Sequence, residues 1–301
     1  MERARIQIVN GEPVVEIHTA AAEVGQGLVT LKGQIARTEL GVQRVVVHVS
    51  DTQVGSAGST SASRQSYVTG GAVQTACKAL RDDILLLAME KLGHLHPHLL
   101  HFRSQYRLVD GEIRDGEGHL VTSLADLLKD KTLEATREYR HRPTTPIDPI
   151  TGQGLPHAQF SFAGHRAVVD VDTETGLIKV VEMAIVQDVG KAMNPQAVEG
   201  QLEGGSAQGL GLAVLEEIQV VDGKVKNPSF TDYLIPTVLD MPPVKSVMLE
   251  YADEHAPYGL RGVGESPTIS STPAIVSAIR QATGLPLNRV PVRPEHITQT
   301  I

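Results

Sequence analysis

The chain has 301 residues, of which 41% are hydrophobic and 21% are charged, a balance typical of an ordinary globular protein with one large or two modest domains. Its 35 acidic residues outnumber 27 lysines and arginines, so no basic surface favours nucleic acid as a partner. No apolar run is long enough to span a bilayer, and the first residues lack the apolar segment of a signal peptide, so we expect no membrane association and a cytoplasmic location.

Strand and helix signals alternate along the first 92 residues. Alternating apolar residues around a turn indicate a hairpin, and apolar residues at helical spacing indicate two helices. The elements predicted here are a β-hairpin over residues 4–18 around Asn10-Gly11, a helix over 28–40, a strand over 44–49 and a long helix over 64–92. The single Cys77, in the long helix, excludes an internal disulfide and a cluster ligated by this chain alone, and we expect it to be a small core residue.

The signals are weaker over residues 94–151, where a proline-rich connector at 143–149 predicts a boundary between two subdomains. Stronger hairpin and capping signals return after it. The elements predicted from residue 106 onward are a hairpin at Asp110-Gly111, a short helix over 124–128, two strands within 160–187, a helix from Asn194-Pro195 to Leu215, strands near 217–221 and 244–250, and a helix from Pro267 to about Ala282.

A glycine-rich turn, Glu23-Val24-Gly25-Gln26-Gly27, precedes the first predicted helix. Gly25 and Gly27 lack a Cβ and so allow a ligand to approach the backbone, while the Gln26 amide can both donate and accept a hydrogen bond. The same pattern is typical of a tight turn between a strand and a helix. Ligand binding and a purely structural turn are therefore both open here.

A loop of small residues, Gly55 to Ser63, precedes the long second helix. Backbone amides at the start of that helix and the nearby hydroxyl groups suit an anion such as phosphate. A flexible loop that ends with Ser63 as the helix cap is an equal alternative. Because the loop lacks the Gly-Lys-Ser/Thr ending of a P-loop, we do not expect ATP hydrolysis.

The predicted helix after Asn194 contains four glycines, in the run Gly200-Gln201-Leu202-Glu203-Gly204-Gly205-Ser206-Ala207-Gln208-Gly209. Each glycine costs about 1 kcal/mol relative to alanine inside a helix. Close packing against another backbone would offset that cost. The approach of a bulky planar ligand, with Gln201 as an amide contact, would offset it as well.

Glu265 lies in the turn Gly262-Val263-Gly264-Glu265-Ser266-Pro267, immediately before the last long helix. The glycines permit an approach that points its carboxylate into a cavity. A solvated partner of the helix dipole is the alternative. Four further histidines at positions 94, 96, 98 and 101 have no carboxylate or cysteine at a recognised ligand spacing, so we expect them on the surface rather than in a metal site.

Five motifs, taken in order, resemble the C-terminal half of the molybdenum-binding portion of the xanthine dehydrogenase and aldehyde oxidase family. Their order along nearly the whole chain is far more specific than any one of them. The five are Glu23-Val24-Gly25-Gln26-Gly27, Ser61-Ala62-Ser63-Arg64-Gln65, Asp188-Val189-Gly190 with Asn194-Pro195, Gly200-Gln201-Leu202-Glu203-Gly204-Gly205, and Gly262-Val263-Gly264-Glu265-Ser266-Pro267.

The resemblance and the pattern together predict an α+β fold in two molybdopterin-binding subdomains, residues 1–150 and 151–301, each with a mixed or antiparallel sheet and packed helices. We expect the cofactor where the glycine turns of the two converge. The resemblance implies a molybdenum-molybdopterin cofactor, in some members extended to a cytosine dinucleotide. It also implies oxidative hydroxylation of an electron-poor carbon with water as the oxygen source.

By the same resemblance, Glu265 matches the general base, whose pKa burial in a glycine-lined pocket would raise. Gln26, between Gly25 and Gly27, and Gln201 match positions that hydrogen-bond the pterin or the molybdenum ligands. No protein ligand to molybdenum is expected. The loop that runs beside the metal and the cofactor's phosphate is matched by Ala62, Ser63, Arg64, Gln65 and Ser66.

The family's earlier glycine-rich motif and its substrate-selecting residues have no counterpart in this sequence. We therefore expect a larger molybdopterin-binding subunit or an N-terminal half to complete the site, with iron–sulfur and FAD subunits to carry electrons. The initiating Met1 favours a separate subunit. A purine, a nicotinate-like heterocycle, an aldehyde and carbon monoxide all remain open as substrates. A non-catalytic phosphate- or nucleotide-binding module and a structural subunit are the alternatives.

Overall fold

The computed structural model describes residues 1–93 and 106–298. These residues form two compact units. The first unit comprises residues 1–158 and 254–260, and the second comprises 159–253 and 261–301. The sequence predicts a boundary after residue 150, whereas the first unit also includes residues 151–158 and the short returning segment 254–260. The four histidines at 94–101 lie outside the described residues.

The first unit begins with the predicted hairpin and then alternates helices with short strands. Asn10 and Gly11 both have positive φ, the geometry of the tight turn that joins two antiparallel strands. In chain order its elements are β1 (Glu2–Val9), β2 (Glu12–Thr19), α1 (Leu28–Leu40), β3 (Val45–His48), α2 (Gln65–Leu92), β4 (Arg107–Val109), β5 (Glu112–Arg114), β6 (Leu120–Ser123), α3 (Leu124–Leu128) and β7 (Leu133–Arg137).

Two sheets organise the described part of the first unit. The larger has the strand order β3-β2-β1-β7, in which β3 runs parallel to β2 and the other pairs are antiparallel. The smaller is the antiparallel meander β4-β5-β6. Helices α1 and α2 pack on each other, and α2 packs on β1 and β7. Apolar residues from these elements are fully buried, including Ile6, Ile17, Ile35, Leu80 and Cys77, which confirms the core role predicted for the thiol.

A buried ion pair joins helix α1 to the larger sheet. Lys32 and Glu2 are each 1% exposed, and Lys32 Nζ lies 3.6 Å from Glu2 Oε1. The hydroxyl of Thr19 donates a 2.7 Å hydrogen bond to the same carboxylate. Burial raises the pKa of Glu2 to about 7 and lowers the pKa of Lys32 to about 8, in each case against the attraction of the partner.

The second unit is a mixed sheet covered by two helices. Its elements are β8 (Phe162–Val171), β9 (Ile178–Asp188), α4 (Pro195–Val214), β10 (Val220–Val221), β11 (Lys224–Val225), β12 (Val244–Leu249), α5 (Ser266–Thr283) and α6 (Glu295–Thr298). Strand β9 is central, antiparallel to β8 and parallel to β12. The core contains Met183 of β9, Leu210 of α4 and Ile275 and Ile279 of α5, all buried.

The α+β class with mixed and antiparallel sheets is confirmed. Both long helices of the second unit begin where their capping signals predicted. The side chain of Asn194 accepts a 3.1 Å hydrogen bond from the amide of Ala197, and Pro195 occupies the first turn. Strands β6, β7 and β11 were not predicted. Among residues 1–93 and 106–298, no helix combines the length and apolar composition needed to cross a bilayer.

Candidate functional site

The turn before α1 is held together by the Glu23 carboxylate. Its oxygens accept hydrogen bonds from the amides of Gly25 at 2.9 Å, Gly27 at 3.1 Å and Val29 at 2.9 Å. Partial burial raises the pKa of Glu23, but these backbone donors outweigh it and hold the pKa below its usual value. The N-cap residue of the helix is Gly27, which has no side chain that could accept hydrogen bonds from the first backbone amides. Glu23 therefore caps the helix from a distance.

Gln26 is engaged within the same turn. Its side-chain oxygen accepts a 2.6 Å hydrogen bond from the amide of Val24, and its nitrogen donates a 3.0 Å bond to the carbonyl of Ala22. Gly25 and Gly27 have φ of 99° and 80°, which explains why glycine occupies both positions. Gly25, Gln26 and Gly27 therefore all have a structural role in this turn. An incoming ligand would exchange one of the local bonds of Gln26 for its own.

The loop before α2 is folded by the side chains of Arg64 and Gln65. Arg64 Nη1 donates to the carbonyls of Ala57 at 3.1 Å and Ser59 at 2.7 Å, and Gln65 Nε2 donates to Ser59 at 3.1 Å. Ser63 is not the helix cap, because it has a positive φ of 52° and the N-cap position belongs to Arg64. No side chain caps α2. Its first amides, at Gln65 and Ser66, thus keep the donor character that suits an anion.

The glycines of α4 fall into two classes. A Cβ on Gly205 would lie 2.7 Å from Pro267, and one on Gly209 would lie 1.7 Å from the Ser271 oxygen, so both glycines serve close packing on α5. A Cβ on Gly200 or Gly204 would meet nothing within 4 Å. Close packing therefore explains Gly205 and Gly209, and the approach of a ligand at Gly200 and Gly204 stays a prediction. The open glycines are exposed, and Gln201, three residues before Gly204, shares their face of the helix.

Glu265 stands at the N-cap of α5, beside this glycine run. Besides the packing of Pro267 on Gly205, the hydroxyl of Thr268 donates a 3.1 Å hydrogen bond to the Gly205 carbonyl. Two contacts thus bring the start of α5 against the Gly204-Gly205 step of α4. Glu265 is exposed in this chain, so these residues alone do not form the enclosed pocket that was expected around its carboxylate.

Arg261, which the sequence did not single out, holds the Glu265 turn in place together with Asp188. Arg261 Nε lies 2.9 Å from an oxygen of Asp188 and its Nη1 donates a 2.8 Å bond to the carbonyl of Phe160. Asp188 also accepts from the amides of Gly190 at 3.0 Å and Tyr251 at 3.2 Å. The motif Asp188-Val189-Gly190 is therefore a structural support. An arginine shortly before a glycine turn is too common a signal to predict it.

His165 of β8 links the two helices behind the turn. Its Nδ1 lies 2.7 Å from the hydroxyl of Ser270 on α5, and its Nε2 lies 2.9 Å from the hydroxyl of Ser206 on α4. Burial lowers the pKa of His165, which favours the neutral ring. This residue gave no sequence signal, because its partners are 105 and 41 residues away.

The second unit thus brings Gln201, Gly204 and the Glu265 turn to one region, and the first unit provides the turn at 25–27 and the loop at 62–66. In the second unit, the open glycines suit a planar ligand because they offer flat backbone surface. In the first unit, the start of α2 suits an anion because it offers amide donors. Comparison with known proteins identifies the family. The model of the molybdopterin cofactor-binding domain family matches residues 2–242.

The chain belongs to this family. Over 303 residues it is 30% identical to the xanthine dehydrogenase molybdenum-binding subunit of Escherichia coli O157:H7, a match that covers 96% of this chain and 38% of that protein. It is 29% identical to the nicotine 6-hydroxylase large subunit of Paenarthrobacter nicotinovorans, over 95% of this chain and 35% of that one. The resemblance predicted from the five motifs is confirmed.

The fold of this chain is similar to part of a solved oxidoreductase structure. Quinoline 2-oxidoreductase from Pseudomonas putida 86 superposes with a TM-score of 0.76 at 30% identity, over 98% of this chain and 37% of that chain. This molybdopterin-binding chain therefore spans little more than a third of the length of such relatives.

Proposed function

We propose that this chain forms part of the molybdenum-binding portion of a hydroxylase of the xanthine dehydrogenase type, and that Glu265 is its general base. The observation that carries the proposal lies in the second unit. There the packing of Pro267 on Gly205 brings the start of α5, with the exposed Glu265 at its N-cap, against a helix whose Gly200 and Gly204 have open space around them. A carboxylate next to a flat ligand-binding surface is the arrangement that proton transfer to or from a bound substrate requires.

The proposed contacts come from helix α4, from the turn before α1 and from the loop before α2. Gln201 would donate or accept an amide hydrogen bond on the open glycine face of α4, and Gln26 would do the same from the turn of Gly25 and Gly27. The amides of Gln65 and Ser66, with the backbone at Ala62, Ser63 and Arg64, would hold the phosphate. When bound, the cofactor supplies a molybdenum centre that takes up two electrons and delivers oxygen derived from water.

Glu265 would accept a proton at a carboxylate oxygen as the new carbon–oxygen bond forms. A ligand that covers the exposed carboxylate would remove water from it and so make it a better proton acceptor. The residues that hold the turn serve this step indirectly. The Arg261 ion pairs and the packing of Pro267 fix the position of the Glu265 backbone.

The remaining components of the enzyme belong to the same proposal. Relatives of this chain are nearly three times its length, so a larger subunit or an N-terminal segment would complete the site, and iron–sulfur and FAD subunits would accept the electrons. Exposed apolar residues of the second unit support a covering partner. They include Ile218, Val220, Phe230, Leu234, Val238 and Leu239. N-heterocycles and aldehydes are the proposed substrate classes, and the cytosine dinucleotide form of the cofactor is part of the proposal.

The test is the Glu265→Gln variant in the complex purified with whatever co-purifies from the native host. Molybdenum and pterin contents should stay unchanged, and turnover of an N-heterocycle or aldehyde should fall by at least about 100-fold, the usual contribution of a general base. The control is Glu174→Gln, which changes an exposed carboxylate in the turn between β8 and β9 and should leave turnover unchanged. Unchanged turnover in Glu265→Gln would remove the assignment.

Two further outcomes separate the alternatives. A complex without molybdenum or pterin would indicate a phosphate- or nucleotide-binding module instead of an enzyme component. A partner that keeps its molybdenum and its full activity after this chain is removed would indicate a structural subunit.

A further inference from the structure

A second cluster of ligating side chains lies on the larger sheet of the first unit, apart from the turn at 25–27 and the loop at 62–66. Glu16 and His18 are two residues apart on β2, so their side chains point to the same face. His48 of β3 is the direct parallel partner of His18. Strand register alone therefore brings two imidazoles and a carboxylate together.

The distances within this cluster are close to those of a metal site. Glu16 Oε2 lies 3.9 Å from His18 Nε2, and Glu16 Oε1 lies 3.8 Å from His48 Nε2. The three ligand atoms all lie within 4.8 Å of one another. Ligand atoms about 2.1 Å from a tetrahedral Zn²⁺ lie roughly 3.4 Å apart. The two imidazole rings are stacked with their centroids 4.5 Å apart, so a bound ion would require them to rotate until both nitrogens point at it.

A carboxylate behind the ring orients His18 toward the cluster. Its Nδ1 lies 3.1 Å from Oδ2 of Asp51, whose other oxygen accepts a 3.0 Å bond from the amide of Gln53. Because a carboxylate only accepts hydrogen bonds, Nδ1 of His18 donates to Asp51, and Nε2 is the ring nitrogen nearer Glu16. That Nε2 is buried and has no hydrogen-bond partner in the part of the chain that the structure describes. A carboxylate behind a metal-binding histidine is a common device for orienting the ring.

Positive charge nearby sets a limit on affinity. Arg5 of β1 lies with its Nη1 3.7 Å from Glu16 Oε2, and Gln7 donates a 3.4 Å hydrogen bond to Glu16 Oε1. Arg3, also on β1, is the cross-strand partner of His18. Arg5 is 37% exposed, so its guanidinium can turn to solvent when a cation binds.

We propose that Glu16, His18 and His48 form a binding site for a divalent transition metal, best suited to Zn²⁺, with Asp51 as the residue that orients His18. The two imidazoles and one carboxylate leave a fourth position for water. A bound ion would link β2 to β3, which is the edge strand of the sheet. The site thus would stabilise the sheet edge independently of the molybdenum cofactor.

The experiment is a zinc titration of the full chain in competition with a chromophoric chelator. The sequence carries four other histidines over 94–101, so the titration uses a background in which those four are alanine. One equivalent of Zn²⁺ should bind and raise Tm. His18→Gln and His48→Gln should each weaken binding by more than 100-fold, and Asp51→Asn should weaken it by roughly 10- to 100-fold.

Arg5→Gln should change affinity in the opposite direction, because it removes a competing cation. His119→Gln is the matched control, since it changes an exposed histidine flanked by Asp115 and Glu117. His48 is 43% exposed, so its variant should fold like the parent and keep the test valid if His18→Gln unfolds. Absence of a one-equivalent site, or equal zinc binding in the parent and His48→Gln, would overturn the proposal.

Discussion

At the scale of single residues, the turn before α1 depends on one carboxylate rather than on its glycines alone. Glu23 accepts three backbone hydrogen bonds, from residues two, four and six positions further along the chain. A negative charge also interacts favourably with the positive end of the helix dipole. The glycines permit the shape of the turn, and Glu23 stabilises it.

Glu23→Gln should therefore lower the free energy of unfolding by about 1 kcal/mol at pH 7, as the loss of a helix cap does. Folding lowers the pKa of Glu23, so its ionised form stabilises the fold above the unfolded-state value of 4.5. This contribution is lost as the pH falls through the lower folded-state pKa. Urea unfolding of the parent and the variant should thus give a difference that is present at pH 7 and disappears at low pH.

Glu174→Gln is the control, because it removes an exposed carboxylate from a hairpin turn. It should change the unfolding free energy by less than about 0.5 kcal/mol. Equal stability of Glu23→Gln and the parent at pH 7 would show that the three hydrogen bonds are replaced by solvent at no cost.

The sequence predicted which motifs matter better than it predicted what each residue does. Glu23 and Asp188 were recognised as parts of motifs, yet their backbone contacts depend on turn geometry that the pattern does not contain. Glu16 and His18 alternate visibly on a predicted strand, but their pairing with His48 depends on strand register. Residues whose partners are distant in sequence, such as His165, gave no signal at all.

At the scale of elements, the glycines of α4 separate packing from openness within one helix. Gly205 and Gly209 let α5 approach closely, and the hydroxyl of Thr272 donates a 2.9 Å hydrogen bond to the Gly209 carbonyl. Gly200 and Gly204 have no such neighbour. The helix thus gives up intrinsic stability at two positions without gaining a contact from residues 1–93 or 106–298.

Alanine substitutions should have opposite effects at the two kinds of position. Gly204→Ala should raise the free energy of unfolding by about 1 kcal/mol, because alanine has the higher helix propensity and meets no obstacle. Gly209→Ala should lower it, because overlap with Ser271 costs about 1–3 kcal/mol and outweighs the gain. Urea unfolding of the cofactor-free chain measures both. A stabilised Gly209→Ala would contradict the close packing of α4 on α5.

Caps and tight turns made most elements predictable. Asn10-Gly11 and Asp110-Gly111 mark their boundaries through positive φ angles that few residues adopt. Asn194-Pro195 marks a helix start through a side-chain cap and a proline in the first turn. The same type of signal at Asp222-Gly223 joins β10 to β11, and only the first of these strands was predicted. Strand β7 was missed because it is short and mostly exposed, and only its pairing with β1 defines it.

At the scale of the whole molecule, the sequence could not predict the course of the chain between the units. Residues 254–260 belong to the first unit although the residues on both sides belong to the second. Tyr258 shows why, because its hydroxyl hydrogen-bonds the carboxylate of Glu39, 219 residues earlier. Only tertiary contacts of this kind define such a segment.

The exposed apolar residues between 218 and 239 carry the last prediction. Phe230, Val238 and Leu239 are 87–90% exposed and lie in one segment of the sequence. Where such side chains together form an apolar patch, the patch marks a contact surface. We expect the isolated chain to self-associate and to bind a hydrophobic dye. Light scattering and dye fluorescence should show that the double variant Phe230→Glu/Leu239→Glu is monomeric and binds less dye.

The stability of that double variant should stay within about 0.5 kcal/mol of the parent, because neither side chain is part of a core. Ile150→Glu is the control, since Ile150 is 93% exposed in the first unit and lies outside this run of residues. It should leave self-association unchanged. A parent chain that is monomeric and binds no dye would show that these residues are not a contact surface, and the argument for a covering partner would then rest on chain length alone.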